Sequence, residues 1–454
     1  MPDRAERPWI RGNLPPSEAV VNFSNEVNPH YLDHVVATAA THEVEASEDI
    51  LAGNGMKLLA KGARIDAAVK DRLLQHKLRK PLEDCVRVNG GITERLGSAA
   101  DEILAADASL RHACGEAGTS QAGANLKRLK LSPAVQSLLT VYCEHRGDKL
   151  HHAVTVCLLS QSLARKLAPG RPELPGVMTL AGLLHDVGEL YIDPAFLAKG
   201  VRLAPAQWRH IVTHPIVAHR LLKDMAGAGR AVAEAVLQHH ERLDGFGYPH
   251  RLQGDRLSLD GQILATAELL VGLIESGPRP LARAAIAMKL MPGEFARSLI
   301  DVVATACHAE QVAAAPRDTA ELLQANLPRV QRIAATLQRF QSGQALLIKQ
   351  MRGMSEGLQP VIAQGLARLH SIQIAFSSTG MDAESPDQLF AHLSQQPHPD
   401  LHLELTTVLR EIEWRLRELE RESVLRADLV SPRELPQVLQ IIALMKGSAP
   451  VAGL

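Results

Sequence analysis

The chain has few aromatic residues, 3% of 454. That scarcity argues against a β-sandwich core or a stacking platform for single-stranded nucleic acid. It has no charge surplus either: 49 basic against 50 acidic side chains leave a net charge of −1. Without a basic field there is no broad footprint for DNA, RNA or an anionic membrane, so no direct binding to any of them is expected. No apolar run approaches the roughly 18 residues of a membrane span, and no signal-peptide pattern follows Met1. Cysteine is sparse: Cys85, Cys114, Cys143, Cys157 and Cys307 are odd in number and never spaced as Cys-x-x-Cys. That usage fits a reducing compartment, and the expected location is cytoplasmic.

What the chain does have is histidine, 20 residues of it, and long stretches of helical apolar periodicity. At this length more than one compact core is expected. Residues 1–30, rich in proline, asparagine and charge, read as a loose leader. Residues 31–95 read as a small α+β accessory module. Within it Asn54-Gly55 suits a hairpin turn, a helix is expected from Asp66 to about His76, and Asp84–Val88 returns as a strand. Residues 125–285 read as a helical domain. Val135, Leu138, Leu139, Tyr142, Val154 and Leu163 keep the helical period there, helix resumes at Val177 and runs into His185-Asp186, and another covers Leu264–Ile274. Only helices are expected over 286–454. In Leu403–Leu425 the dense Arg/Glu pairing, Glu411 and Arg415 included, reads as a solvated helix face, with a helical hairpin or a dimerising helix pair as the functional alternative. The fold class is mainly α: a helical bundle with a small N-terminal α+β module and a C-terminal helical extension.

Chemistry concentrates between His185 and Pro249. His185-Asp186, His214 and His239-His240 offer five metal-capable side chains, and a glycine-rich loop follows. Neighbours on a helix point about 100° apart, so one metal held by both His185 and Asp186 needs a helix end; a carboxylate bridging two cations is the simpler answer. Each piece alone has a bland reading. A bare His-Asp dipeptide is weak, His214 before Pro215 suits a helix end, and Gly245-x-Gly247 suits a plain turn. Together they point to two or more cations sharing a water or hydroxide that attacks a phosphoryl group.

The run His239-His240-Glu241-Arg242-Leu243-Asp244-Gly245-Phe246-Gly247-Tyr248-Pro249, following His185-Asp186 and His214 in order, resembles the HD-GYP family. These are HD-superfamily phosphohydrolases whose best-known substrate is cyclic di-GMP. The resemblance covers roughly residues 133–282. It implies an HD-type helical bundle holding two or three divalent metal ions, with iron or manganese favoured. By position it implies His152, His185, Asp186, His214, His239, His240 and Glu268 as ligands, Asp186 bridging. Asp148, one helical turn before His152, is the implied ligand for a third metal, and His151 should face solvent. Catalytic roles are implied at Asp186, Glu189 and Arg242. Glu189 stands where the family has a lysine that meets substrate phosphate, a change of two charge units against an anionic substrate. Arg242, Lys199 or another cation would have to compensate. Val271 replaces a second family aspartate, and Leu281 replaces a tyrosine after Arg279-Pro280. The loop Asp244, Gly245, Gly247, Tyr248 and Pro249 is implied at the rim of the site, with Phe246 and Tyr248 exposed to substrate or partner. Diguanylate-cyclase-type proteins are the implied partner class.

The leading expectation is a metal-dependent phosphodiesterase acting on a nucleotide second messenger or another phosphoester. Glu189 and Val271 motivate two alternatives. One is a metal-retaining signalling scaffold that binds a nucleotide or a partner without turnover; the other is an HD phosphohydrolase for a different nucleotide. A homodimer through the C-terminal helices is the remaining partner expectation.

Overall fold

The structure, a computed structural model, describes residues 26–115, 121–145, 147–198, 203–308, 319–381, 388 and 399–447. The expected leader lies outside the described residues up to position 25, as does Lys199. Backbone contacts divide the chain into two compact units. The first comprises 1–202 and 209–272, the second 203–208 and 273–454.

The first unit opens with α1 (Pro29–Thr38), whose start is fixed twice. Pro29 supplies a preset φ, and the Asn28 side chain accepts from the backbone N–H groups of His30 and Tyr31 at 2.9 and 3.1 Å. Four short strands follow. β1 (Glu43–Ala46) pairs antiparallel with β4 (Val86–Asn89), and β2 (Ile50–Leu51) with β3 (Lys57–Leu59) across the Asn54-Gly55 turn. The helix expected from Asp66 is shorter than its pattern, a single 3₁₀ turn leading into Lys70–Leu74. Asp66 caps it by accepting from the Ala68 N–H. Strand β4 is tied to the helical core, because the Val88 N–H donates to Ser137 Oγ at 3.0 Å.

The helices of eight residues or more that follow are α2 (Ile92–Ala106), α3 (Pro133–His145), α4 (Lys149–Leu167), α5 (Leu174–Leu184), α6 (His214–Leu222), α7 (Arg230–Leu237) and α8 (Leu259–Glu275). The residues that carry the sequence periodicity, Val135, Leu138, Leu139, Tyr142, Val154 and Leu163, are all buried. α5 ends at His185, and the chain then tightens into a 3₁₀ turn, Val187–Tyr191. Gly188 permits this turn to lie against the start of α6, since a Cβ there would sit 2.1 Å from the His214 carbonyl oxygen. That contact brings Asp186 and His214 together.

The second unit is helical throughout its described residues: α9 (Pro280–Leu290), α10 (Arg297–His308), α11 (Thr319–Arg352), α12 (Gln359–Ser378), α13 (Pro399–Val430) and α14 (Leu435–Lys446). Phe340, Ile372, Leu409 and Ile412 are among its core residues. One sequence expectation fails here. Arg415 does not decorate a solvated face but is 3% exposed, donating to Glu294 Oε2 at 2.8 and 3.0 Å and to Glu411 Oε2 at 2.7 Å. The i, i+4 pairing that suggested a surface helix is also what a buried arginine needs, because an unpaired charge could not be buried. Val271 and Leu281, where the family resemblance led us to look for polar residues, are fully packed apolar side chains at 0% and 1% exposure.

Candidate metal centre

Three histidines of the site are built in the same way. A helix leaves its last carbonyls without intrahelical partners. His185 and His239 stand just beyond the ends of α5 and α7, and His214 just beyond the short helix Pro205–Ile211; each turns its ring back on the carbonyl three residues earlier. His185 Nδ1 meets Gly182 O at 2.8 Å, His214 Nδ1 meets Ile211 O at 2.8 Å, and His239 Nδ1 meets Val236 O at 2.6 Å. The bond fixes Nδ1 as the protonated nitrogen, so each ring presents its Nε2 lone pair to the centre.

Those lone pairs converge on Asp186. Its Oδ2 lies 3.4 Å from His185 Nε2 and 3.9 Å from His152 Nε2. Its Oδ1 lies 3.4 Å from His214 Nε2 and 3.7 Å from His239 Nε2. The two oxygens of one carboxylate thus face two different donor groups. One group is His152, His185 and Glu268; the other is Asp186, His214, His239 and His240; within each, the candidate ligand atoms lie within 4.8 Å of one another. Glu268 comes from α8, with Oε2 at 3.5 Å from His152 Nε2 and 3.4 Å from His185 Nε2.

The chemistry of this donor set fits a cation better than it fits itself. Two Nε2 atoms face each other at 3.2 Å in each pair, His152 with His185 and His214 with His239. Where Nδ1 holds the proton, this sets lone pair against lone pair and against carboxylate oxygen. Glu268 Oε2 is buried and has no hydrogen-bond partner. Nitrogen and oxygen ligands about 2.0–2.2 Å from one ion lie about 3.0–3.6 Å apart, the separation seen here. Burial works to raise the Glu268 carboxyl, but His152 and His185 outweigh it and hold it at about 2. Burial likewise works to raise Asp186, but His185 and Lys149 beside it hold it well below the usual carboxylate range. His240 is pushed well below its ordinary value by burial and by His239 and His214, so it stays neutral as a ligand must.

Lys149, which the sequence reading passed over, completes the electrostatics. It opens α4 three residues before His152 and therefore shares its face. Its ammonium donates to Glu189 and lies 3.3 Å from Asp186 Oδ2. Burial works against its charge, but the two carboxylates raise its pKa above the ordinary lysine value. Glu189 is pushed up by burial and by Asp186. A cation does stand beside Glu189: the Lys149 ammonium. The Arg242 guanidinium donates to the neighbouring Glu241 carbonyl.

Two other expectations are corrected. Asp148 is exposed at the N-terminal boundary of α4 and belongs to neither donor group, although its i, i+4 spacing sets it on the His152 side of the helix. His151 is on the solvent side as expected, 3.7 Å from Glu102. Tyr248 is half-buried. Its ring stacks on His240 with centroids 4.5 Å apart and planes 25° from parallel, bracing that ligand from outside.

The Gly-Tyr-Pro loop closes over the histidine pair because of Gly247 and Glu241. A Cβ at Gly247 would lie 2.4 Å from Glu241 Cα and from the His240 carbonyl oxygen, so only glycine allows this approach. Glu241, 1% exposed, clamps the far side of the loop by accepting from the His250 N–H at 2.5 Å and the Leu252 N–H at 3.0 Å. Burial pushes its carboxyl up to about 7 against those bonds. Asp244 accepts from the Phe246 N–H at 3.1 Å, and Gly245 adopts a positive φ of 80°. The Tyr248–Pro249 peptide is cis.

Part of the chain is similar to known proteins. Residues 133–301 match the HD domain family model. A cyclic di-GMP phosphodiesterase of Pseudomonas aeruginosa, PA4108, is 34% identical over 131 residues, 28% of this chain and 30% of that protein. The 3′3′-cGAMP-specific phosphodiesterase 3 of Vibrio cholerae is 33% identical over 28% of this chain and 27% of that protein. A cyclic di-GMP phosphodiesterase of Thermotoga maritima is 27% identical over 36% of this chain and 45% of that protein. This chain thus spans less than half the length of each of these relatives. A solved structure, the Bd1817 HDG"Y"P protein from Bdellovibrio bacteriovorus, aligns with a TM-score of 0.31 and 24% identity over 47% of this chain and 69% of its own. Residues 133–301 of this chain thus resemble HD domains, and relatives that match part of the chain are named as cyclic-dinucleotide phosphodiesterases.

Proposed function

We propose that this chain is a metal-dependent phosphodiesterase that hydrolyses a phosphodiester bond of a nucleotide second messenger. The observation that carries the reading is Asp186, whose Oδ1 and Oδ2 face two separate histidine-containing donor groups. His152, His185 and Glu268 would hold one divalent cation; His214, His239 and His240 would hold the other, with Asp186 shared. Iron or manganese suits this mixture of imidazole and carboxylate. When bound, such cations supply an acidified water and neutralise charge on a phosphodiester under attack.

The side chains divide the remaining work. Asp186 and Glu268 bring negative charge that offsets the cations, and the Nδ1 bonds of His185, His214 and His239 keep the rings from turning. Lys149 carries the positive charge that Glu189 removes from the motif, so an anionic substrate would meet a neutral pair there instead of a bare carboxylate. That ammonium beside Asp186 also opposes a further cation on the same side, and we therefore favour two metals over three. The Tyr248 stack and the Glu241 clamp hold the loop against His240. Diguanylate-cyclase-type proteins remain the partner class proposed for this loop, through Phe246 and the turn at Asp244–Gly247.

The relatives' named substrates make cyclic di-GMP and 3′3′-cGAMP the first to assay. Purified protein loaded anaerobically with iron or with manganese should cleave at least one of them to a linear dinucleotide. Tight metal with no turnover on these, on linear dinucleotides or on bis-p-nitrophenyl phosphate would instead support the scaffold reading, which Glu189 favours. Turnover of mononucleotides alone would support a phosphohydrolase of another substrate class.

A further inference from the structure

The second unit has a cleft of about 830 Å³ walled by α11, α12, α13 and α14 and open to solvent along one side. A largely apolar cleft of this volume with a few polar groups at its edge is the usual form of a small-molecule site. Its wall is largely aliphatic, with Ile333, Leu366, Leu369, Leu419, Ile442 and Met445 contributed by all four helices. Several of these, Leu366, Leu419, Ile442 and Met445 among them, pack against the unit's core yet stay only partly buried. Room is made by small residues: Gly365 faces Ser423, whose Oγ would lie 3.3 Å from a Cβ at 365.

The polar lining carries a surplus of one sign. Arg332, Arg339, Arg417 and Lys446 stand against Glu413 and Glu420. Glu413 is shared by Arg332 at 3.0 Å and Arg329 at 3.4 Å, and Glu420 is taken by Lys446 at 2.6 Å. The Arg339 guanidinium donates through Nε to the Met445 carbonyl at 2.8 Å, which leaves its charge unneutralised. An apolar wall beside a net positive lining is complementary to one kind of ligand.

We propose that this cleft binds a single-chain amphiphile with an aliphatic body and one anionic head group, the head lying near Arg339 and Arg417. The site is independent of the metal centre and of the activity proposed for it. It gives the helical extension a ligand-binding role that neither the sequence pattern nor the relatives' names assign.

Calorimetric titration of the full chain with laurate, below its micelle concentration, tests the proposal. The expected result is saturable binding of one laurate per chain, with dodecyltrimethylammonium about tenfold weaker or worse. Arg339→Glu should weaken laurate by about tenfold while leaving the apolar wall intact. Gly365→Phe, which fills the cleft, should abolish binding; if that variant loses helicity by circular dichroism, Ser423→Leu serves the same purpose. Absence of saturable laurate binding, equal binding of the cationic amphiphile, or unchanged binding in a folded filled-cleft variant would each overturn it.

Discussion

Lys149 donates to Glu189 and lies 3.3 Å from Asp186 Oδ2, so one ammonium serves two carboxylates at the edge of the metal centre. The three side chains are only 10–14% exposed, which makes their charges costly to leave unpaired. Lys149→Met is therefore expected to lower phosphodiesterase kcat/KM by about 10–100-fold, the effect usual for partners that position metal ligands. Glu189→Lys, which would restore the family's residue, should also impair the enzyme because it sets two ammonium groups together. The double variant Lys149→Glu with Glu189→Lys should recover part of the loss. Steady-state kinetics on all three variants would show whether the pair acts as a unit; strictly additive losses would count against it.

Gly188 is the point at which packing sets site geometry. Gly188→Ala would push a methyl into the His214 carbonyl, only 2.1 Å from where the Cβ must go. Overpacking against backbone costs about 1–3 kcal/mol. Denaturant titration should show that loss together with weaker metal affinity, since α6 must retreat and take His214 with it. Wild-type affinity and stability in this variant would contradict the described contact.

The buried ion cluster of the second unit offers a separate stability test. Glu294, 2% exposed, receives Arg415 and lies 3.7 Å from Arg368. Glu294→Ala leaves both cations without that partner and should destabilise the protein by about 3–5 kcal/mol, measured by chemical denaturation. A change below about 1 kcal/mol would mean that the arginines find solvent or other acceptors.

His34 makes stability depend on pH. Burial, with a smaller contribution from His30, lowers its pKa from 6.5 to about 4, and its ring lies 3.8 Å from that of His145. The unfolded chain therefore takes up this proton at higher pH than the folded one. The contribution is complete above pH 6.5 and is lost as pH falls towards and through 4. Allowing for partial solvent contact of the ring, the loss is on the order of 1–2 kcal/mol. Unfolding free energies measured across this window should fall less steeply in His34→Phe than in the parent chain. Parallel curves would remove His34 from the account.

Most of the candidate ligand set was readable because it is written in local patterns: His185-Asp186, His214-Pro215 and His239-His240 are adjacent pairs at helix boundaries. His152 and Glu268 needed the family resemblance, since a lone residue on an apolar helix carries no signal of its own. Lys149 was legible only in part. Its i, i+3 spacing to His152 was visible, but its partner lies 40 residues away and meets it only once α4 and α5 have packed. Arg415 was misread for the same reason, as its buried partner Glu294 is 121 residues distant. Glu241 sits inside the motif yet works on the loop beyond it, holding His250 and Leu252. Fold class came through because helical periodicity and proline breaks are local, whereas charge pairing across the core is not.

The central claim is that Asp186 joins two metal-binding groups, and metal content per chain tests it most directly. Inductively coupled plasma analysis of protein purified from iron- or manganese-supplemented cells should find about two ions in the parent chain. It should find about one in Glu268→Ala and nearly none in Asp186→Ala. Full metal content in a folded Asp186→Ala variant, or undiminished hydrolysis by that variant, would contradict the account.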